Sequence, residues 1–284
     1  MALNRNLIHN LARAALSEDS GSGDATTLAV VPEGLQVEGV IKSREKCVCA
    51  GLPLVHAVYS ELDKDIYIED AVAEGEMCAA GTVLARITGN ARAMLTGERI
   101  VLNFLQRLSG IATLTRQYVE ATGRHHTKIL DTRKTTPGLR VLEKYAVKQG
   151  GGENHRFGLY DRIMIKDNHR LLANLEGPGG IRRAVEACRE KYPALDVEVE
   201  ADTLEDVAAA LQAGADYIML DNMDNEEMKS AVEMIEGNAL IEASGGVILE
   251  RIPEIAATGV DFISVGALTH SAPAIDIGLD INLG

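Results

Sequence analysis

The sequence predicts an α/β protein in two parts: a small, mostly antiparallel sheet, followed by an open or nearly closed barrel of parallel strands. Three observations lead there. The chain has 284 residues, 46% of them hydrophobic, which is enough to bury a full core and lies between one large domain and two ordinary ones. From about Leu35 to Ile87, short β-rich runs alternate with turn residues. After Thr127 the pattern changes to short apolar runs separated by helical stretches, as in parallel βαβ units.

Taken in order, Leu3, Leu7, Leu11 and Ala15 fall four apart, with Ile8 and Leu16 beside them, and predict an amphipathic helix. Asn4, Arg5, Asn6, His9 and Arg13 interrupt that segment, so it lacks the apolar stretch of a secretion signal. The runs VEGVIKS, CVCAG, IYIEDAV and EGEMCAAGTVLARITG make the small sheet. A helix then starts near Asn90, with Leu95, Ile100, Val101, Phe104, Leu105 and Leu108 at helical spacing. Ser109-Gly110 is expected to break or bend it before IATLTRQYVEATG continues, and the domain boundary is placed there, after residue 112. The barrel strands are KILDT, RIMIKD, LDVEVE, YIMLDN, ALIEASGG and VDFISVG, and the helices between them include LRVLEKYAVKQ, GIRRAVEACREK, TLEDVAAALQAG and NEEMKSAVEMIEG. Right-handed crossovers bring all six strand ends to one mouth, where βα loops carry chemistry.

Charge is unevenly spread. Residues 124–170 hold 11 of the 28 Lys+Arg, 5 of the 42 Asp+Glu and four of the seven His, so this window carries +6 while the remainder carries −20. Its segments DTRKTTPGLR, GGGENHRFGLYDR and IKDNH form a cationic, glycine-rich stretch suited to a small, multiply charged anion. A net charge of −14 argues against nucleic acid, which needs an extended basic surface, and 4% aromatics without Trp argue against base stacking. No run approaches the roughly 20 apolar residues of a membrane span. Cys47, Cys49, Cys78 and Cys188 show no metal-ligand spacing and read as free thiols in a reducing cytosol.

Each barrel strand ends in a polar or glycine group. Strand one exits into Asp131-Thr132-Arg133-Lys134, strand two into Lys166-Asp167-Asn168-His169, strand four into Asp221-Asn222, strand five into Ser244-Gly245-Gly246 and strand six into Val265-Gly266-Ala267. Single instances are explained by helix caps and tight turns; together on one rim they predict a site. On strand three, Glu198 and Glu200 alternate with Val197 and Val199 and so share the interior side, a costly arrangement unless cations or metal answer it. Arg133 and Lys166 can neutralise part of this charge, and a hard cation such as Mg²⁺ can bridge Glu200 and Asp221 to ligand oxygens. A Lys–Glu network that only orders the core is the competing reading. The backbone N–H groups of 244–246 and 265–267 suit a phosphate, while Arg133, Lys134, Arg140, Arg156, Lys166 and His155 exceed what one phosphate requires. Guanidinium forks match carboxylates, so two anions are expected: a carboxylated small molecule and a phosphorylated sugar with its own leaving group. Lys144 and Lys148, four apart, are assigned to a solvated helix face.

With these residues in view, the chain closely resembles the quinolinate phosphoribosyltransferase family. The resemblance runs through EDSGSGDATT (18–27), GERIVLNFLQRLSGIATLT (97–115), DTRKTTPGLR (131–140), EKYAVKQGGGENHRFGLYDRIMIKDNH (143–169), VEVE (197–200), YIMLDN (217–222), EASGGV (242–247) and GVDFISVGALTHSAP (259–273). It implies an N-terminal α/β sandwich domain (1–112), an open, mostly parallel α/β barrel (113–270) of the type II phosphoribosyltransferase fold, and a C-terminal segment (271–284) that returns to the first domain. It also implies a cytoplasmic enzyme, a homodimer or hexamer with a shared active site, and Mg²⁺. The implied reaction joins quinolinate and phosphoribosyl pyrophosphate to give nicotinate mononucleotide, pyrophosphate and CO₂. By motif position, Arg133, His155, Arg156 and Lys166 would hold the quinolinate carboxylates, with Thr132 on the same loop and Arg99 reaching in from the neighbouring subunit. Lys134, Glu200 and Asp221 would serve phosphoribosyl pyrophosphate and its metal. Ser244, Gly245, Gly246, Val265, Gly266 and Ala267 would take the 5′-phosphate. Two other readings stay open: a relative acting on a monocarboxylate such as nicotinate, and a non-catalytic anion-binding barrel.

Overall fold

In the computed structural model, which describes residues 3–282, the chain divides into two compact units. The first comprises Met1–Arg116, Thr136–Gly151 and Leu268–Gly284; the second comprises Gln117–Thr135 and Gly152–Ala267.

The first unit opens with two helices, α1 (Arg5–Ser20) and α2 (Ala25–Val30). Asn4 caps α1, Asp24 caps α2, and α1 buries Ile8, beside the predicted apolar stripe, together with Ala12. Strands β1 (Gln36–Ser43), β2 (Cys47–Val48), β3 (Tyr67–Asp70), β4 (Met77–Cys78) and β5 (Val83–Asn90) follow, with α3 (Leu52–Leu62) between β2 and β3. The last described strand, β12 (Ile277–Asn282), pairs antiparallel with β1, so the four-stranded sheet runs β12-β1-β5-β3; β2 and β4 form a separate antiparallel pair. Alternation decides the buried face. In β5, Ala85 and Ile87 are sealed while Arg86 and Thr88 face water, and Leu84, on the side of Arg86, is covered as well.

Helix α4 (Ala91–Ala121) corrects the expected break at Ser109-Gly110: it runs without interruption for 31 residues. Both residues serve close approach. Ser109 Oγ lies 3.1 Å from the Ala50 amide that donates to it, and a Cβ on Gly110 would collide with the carbonyl oxygen of Pro273. Glycine is tolerated in a helix interior when a neighbouring backbone needs the space. From the same helix, Arg107 donates to Glu143 Oε1 (2.8 Å) and to the carbonyls of Thr269 and Ala272. Glu143 also accepts from Thr136 N–H (3.1 Å) and Thr136 Oγ (2.8 Å). Glu143 belongs to α5 (Arg140–Gln149), where a second correction arises: Lys144 is buried with Leu142, Glu143 and Tyr145 rather than solvated, because this helix is enclosed on more than one face.

The second unit carries the six predicted strands: β6 (Lys128–Leu130), β7 (Ile163–Ile165), β8 (Val197–Ala201), β9 (Tyr217–Asp221), β10 (Leu240–Ser244) and β11 (Phe262–Ser264). Every pairing is parallel and the order is β6-β11-β10-β9-β8-β7. Each consecutive strand from β7 to β11 lies beside its predecessor, so the sheet curls toward closure and stays open between β6 and β7. Helices α6 (Asp167–Ala173), α7 (Gly180–Lys191), α8 (Leu204–Gln212), α9 (Asn225–Ile235) and α10 (Ile252–Ala256) fill the crossovers, and α11 (Ala267–His270) follows β11. Thr203 caps α8, and Asp224 with Glu227 forms a capping box on α9, so two connections end sharply at the rim. No described helix is long and apolar enough to cross a membrane.

Gly110→Ala tests the close approach to Pro273. Overpacking against backbone is expected to destabilise the fold by about 3 kcal/mol and to lower the unfolding temperature by roughly 6–12 °C. A calorimetric midpoint equal to wild type would show that the helix can shift aside.

Candidate active site

The strands of the second unit deliver their C-terminal ends to one rim, and two clusters of charged groups sit there, one reaching solvent and one buried. The first is built on β8. Glu200 is 7% exposed and receives an ion pair from Lys166 Nζ at the end of β7. Lys166 is fixed through its own backbone, whose N–H donates to His169 Nδ1 at 2.9 Å across the first turn of α6. One carboxylate oxygen each from Glu200, Asp202 and Asp221 lies within 4.8 Å of the others. Burial, then the charge of Glu200, holds the Asp221 carboxyl above the usual range, while Lys166 and Lys134 pull it the other way. An all-oxygen donor set of three carboxylates suits a hard divalent cation, although Asp202 is also paired with Arg170.

The loop after β6 carries Thr132, Arg133 and Lys134, with Thr132 Oγ accepting the Lys134 N–H at 3.0 Å. The next loop carries His155 and Arg156. Asp131, fully buried at the end of β6, anchors it by accepting from Asn154 Nδ2 (2.6 Å) and from the His155 backbone N–H (2.9 Å). Arg156 is 9% exposed and donates to the Arg162 carbonyl (3.2 Å). Burial, then the positive charge of Arg133, holds its guanidinium below the usual arginine range. Two guanidiniums that raise each other's energy suit a dianion, which would relieve the repulsion.

The second cluster lies deeper. His155 Nε2 is 3.1 Å from Glu198 Oε2 and 3.3 Å from Glu242 Oε2, and both carboxylates are sealed from solvent. Arg162 Nη1 stands 3.6 Å from Glu198, with its guanidinium 4.1 Å above the Tyr217 ring. Burial works against a charged imidazole, but the two carboxylates outweigh it and push the His155 pKa up to about 9. Burial and the Glu198 charge push the Glu242 carboxyl up, whereas Glu198, despite its own burial, is held low by His155 and Arg162. The N–H of Arg156 lies 2.6 Å from His155 Nδ1 and opposes a second proton there. The titration therefore belongs to the cluster. An imidazolium beside two carboxylates and a neutral ring beside a protonated Glu242 hold the same number of protons, and with Arg162 both total zero charge.

Two backbone loops complete the rim. After β10, Gly245 and Gly246 have φ of 93° and 55°, and a Cβ on Gly245 would strike the Asn222 side chain. Only glycine combines that backbone with that approach. Val265, Gly266 and Ala267 follow β11, with Val265 N–H bonded to the Leu130 carbonyl at 2.9 Å. Arg99 lies in the first unit, exposed on α4. Sequence reasoning left Asp202, Arg162 and Glu242 out of the site. Glu242 had a signal in a lone carboxylate inside the apolar run ALIEAS, two residues before Ser244 and hence on its side of the strand. Asp202, at a strand end beside a helix cap, had none that distinguished it from a capping residue.

Comparison with known proteins gives a consistent set of similarities. Residues 24–109 match the quinolinate phosphoribosyl transferase N-terminal domain and residues 111–280 its C-terminal domain. The chain is 44% identical over 270 residues to a probable nicotinate-nucleotide pyrophosphorylase [carboxylating] of Bacillus subtilis, covering 94% of this chain and 90% of the relative. It is 45% identical over 272 residues to a protein of the same description from Synechocystis, with the same coverage. The solved structure of the nicotinate-nucleotide pyrophosphorylase from Francisella tularensis superposes with a TM-score of 0.93 at 38% identity, over 99% of this chain and 98% of that one.

The deep cluster predicts a pH dependence. A histidine whose pKa rises on folding stabilises fully below its unfolded value of 6.5 and loses that contribution as pH rises through about 9. Unfolding temperatures should fall across this window and fall less in His155→Gln. Parallel declines in the two proteins would place the titration elsewhere.

Proposed function

We infer the activity from one premise: the chain belongs to the quinolinate phosphoribosyltransferase family, which residues 24–109 and 111–280 both match. It is a carboxylating nicotinate-nucleotide pyrophosphorylase, transferring phosphoribosyl from phosphoribosyl pyrophosphate to quinolinate in the de novo formation of NAD. One observation supports assigning the chemistry to the rim: Lys166 and the carboxylates of Glu200, Asp202 and Asp221 stand together at the ends of adjacent strands.

On this reading Arg133, Arg156, His155 and Lys166 hold the two carboxylates of quinolinate, with Thr132 shaping their loop. Lys134 faces the pyrophosphate. Glu200 and Asp221, joined by Asp202, would hold Mg²⁺, which supplies positive charge to the pyrophosphate oxygens when bound. The 5′-phosphate rests on the N–H groups of 244–246 and 265–267, where Gly245 lets the backbone approach. The pyridine nitrogen attacks C1 of the ribose, the bond from C1 to the pyrophosphate oxygen breaks, and its electrons leave with pyrophosphate. Positive charge grows on the sugar meanwhile, and nearby carboxylates stabilise it. No nucleophilic side chain is needed, so the arginines act mainly by holding the nitrogen in line with C1. The quaternised ring then loses its 2-carboxylate as CO₂; the electron pair stays on C2 beside the cationic nitrogen until a proton replaces it. The carboxylates of Glu200 and Asp221 also speak against a simple anion receptor, whose affinity their negative charge would lower unless a metal is held as well.

The assembly is a homodimer, or a hexamer built from three such dimers, with Arg99 crossing to the neighbouring subunit's quinolinate, and the enzyme works in the cytoplasm. Exposure of Arg99 on α4 supports its availability to a partner.

Release of CO₂ from carboxyl-labelled quinolinate should require both phosphoribosyl pyrophosphate and Mg²⁺. Consumption of nicotinate with no such release would move the function to a monocarboxylate. For the shared site, mixing Arg99→Ala with Lys166→Ala chains should restore about a quarter of the sites by random pairing in two-fold dimers. Activity no higher than that of the separate variants would place Arg99 outside the partner's site.

A further inference from the structure

We propose that Glu198 and Glu242 are positioning residues for quinolinate recognition, converging from β8 and β10 on His155 Nε2 to hold the His155–Arg156 corner of the pocket. The inference rests on the reading that this corner binds quinolinate.

The geometry is a closed support. Both carboxylates have zero exposure and approach the same imidazole nitrogen at 3.1 and 3.3 Å from strands on either side of β9. The other side of the ring is fixed as well, since the Arg156 N–H lies 2.6 Å from Nδ1 and the His155 N–H donates to Asp131. The ring is thus held at its backbone and at both nitrogens, and Arg156 follows it in the chain. Packing two carboxylates into a barrel core is not a route to stability, because apolar residues of similar volume would serve the core at least as well. What the carboxylates add is orientation: two anions at ion-pair distance from Nε2 hold the ring's charged edge between them, and a site needs that of the groups that meet its ligand.

A histidine and two glutamates can also ligate a metal, and their ligand atoms lie within 4.8 Å of one another. Charge decides between the readings. With Arg162 at 3.6 Å from Glu198 the cluster is already neutral when it holds its two protons; a divalent cation on Nε2 would displace only one of them, leaving one net positive charge in a sealed space and the other proton on Nδ1, which the Arg156 N–H at 2.6 Å opposes.

Phosphoribosyl pyrophosphate is held by Lys134, Glu200, Asp221 and the two backbone loops, so loss of the support should fall on quinolinate. Wild-type enzyme is assayed first with both substrates varied; absence of CO₂ release there sinks the functional reading itself. Glu242→Leu should then raise KM for quinolinate about tenfold or more while KM for phosphoribosyl pyrophosphate stays within about twofold, and Glu242→Gln, which keeps an acceptor, should recover most of the loss. If the leucine variant does not fold, Glu242→Met, which keeps the side-chain length but carries no carboxylate or amide oxygen, must show the same split. Unchanged constants, or equal rises in both KM values with a lowered unfolding temperature, would overturn the proposal. So would one equivalent of tightly bound metal in wild type that disappears in Glu242→Gln.

Discussion

A carboxylate withdrawn from water is costly unless a cation or hydrogen-bond donor meets it, and β8 alone puts two of them, Glu198 and Glu200, in that position. Much of the rim can be understood as an answer to this constraint. Alternation along the strand turns both side chains inward, so neither can be relieved by moving to solvent. Glu200, nearer the mouth, is met by Lys166 and shares its neighbourhood with Asp202 and Asp221. Glu198, one pleat deeper, is met by His155 and Arg162. One strand therefore organises both an outer charge cluster that a ligand or metal can complete and an inner one that the protein completes for itself.

That layering suits a reaction without a covalent intermediate. The rate must come from where groups are held and what charge they present as pyrophosphate departs. Outer groups must stay accessible, and Lys134 is exposed, with Lys166 half-buried. Inner groups must stay still. A rim with only the outer cluster would bind anions on flexible side chains, whereas the buried triad beneath it converts a loop, residues 152–156, into a fixed surface. The glycine loop after β10 works in the same way with backbone alone: at φ 93° and against Asn222, Gly245 has little freedom of its own.

Much of this was legible in the sequence because parallel strands write themselves as short apolar runs and βα loops follow immediately. The six strands, the helices between them and the inward pair Glu198/Glu200 all come from period alone. The functional identity of the rim came from motif order over most of the chain, since no single motif distinguishes a phosphate turn from an ordinary one. Two local readings failed for one reason. Ser109-Gly110 looked like a helix break and Lys144 like a solvated lysine, yet both belong to helices enclosed by distant segments, Gly110 by Pro273 and α5 by its burial on several faces. Local propensity carries no information about a backbone that returns more than a hundred residues later. Glu242 escaped for a related reason, because its partners His155 and Glu198 come from other strands and loops.

The open seam between β6 and β7 has a consequence for colloidal behaviour. A barrel that does not close keeps two strand edges, and unpaired edges are where sheets from different molecules join. Both are only three residues long. On β6 the free edge is also occupied: Glu153 forms a parallel bridge with Leu130, taking the Ile129 carbonyl and giving its own carbonyl to the Asp131 N–H. The residues that continue from this strip are Asn154, His155 and Arg156. The segment proposed to recognise quinolinate thus also covers an edge open to intermolecular strand addition, which binds its evolution to a requirement unrelated to catalysis: a change that loosens it would expose an aggregation-prone edge.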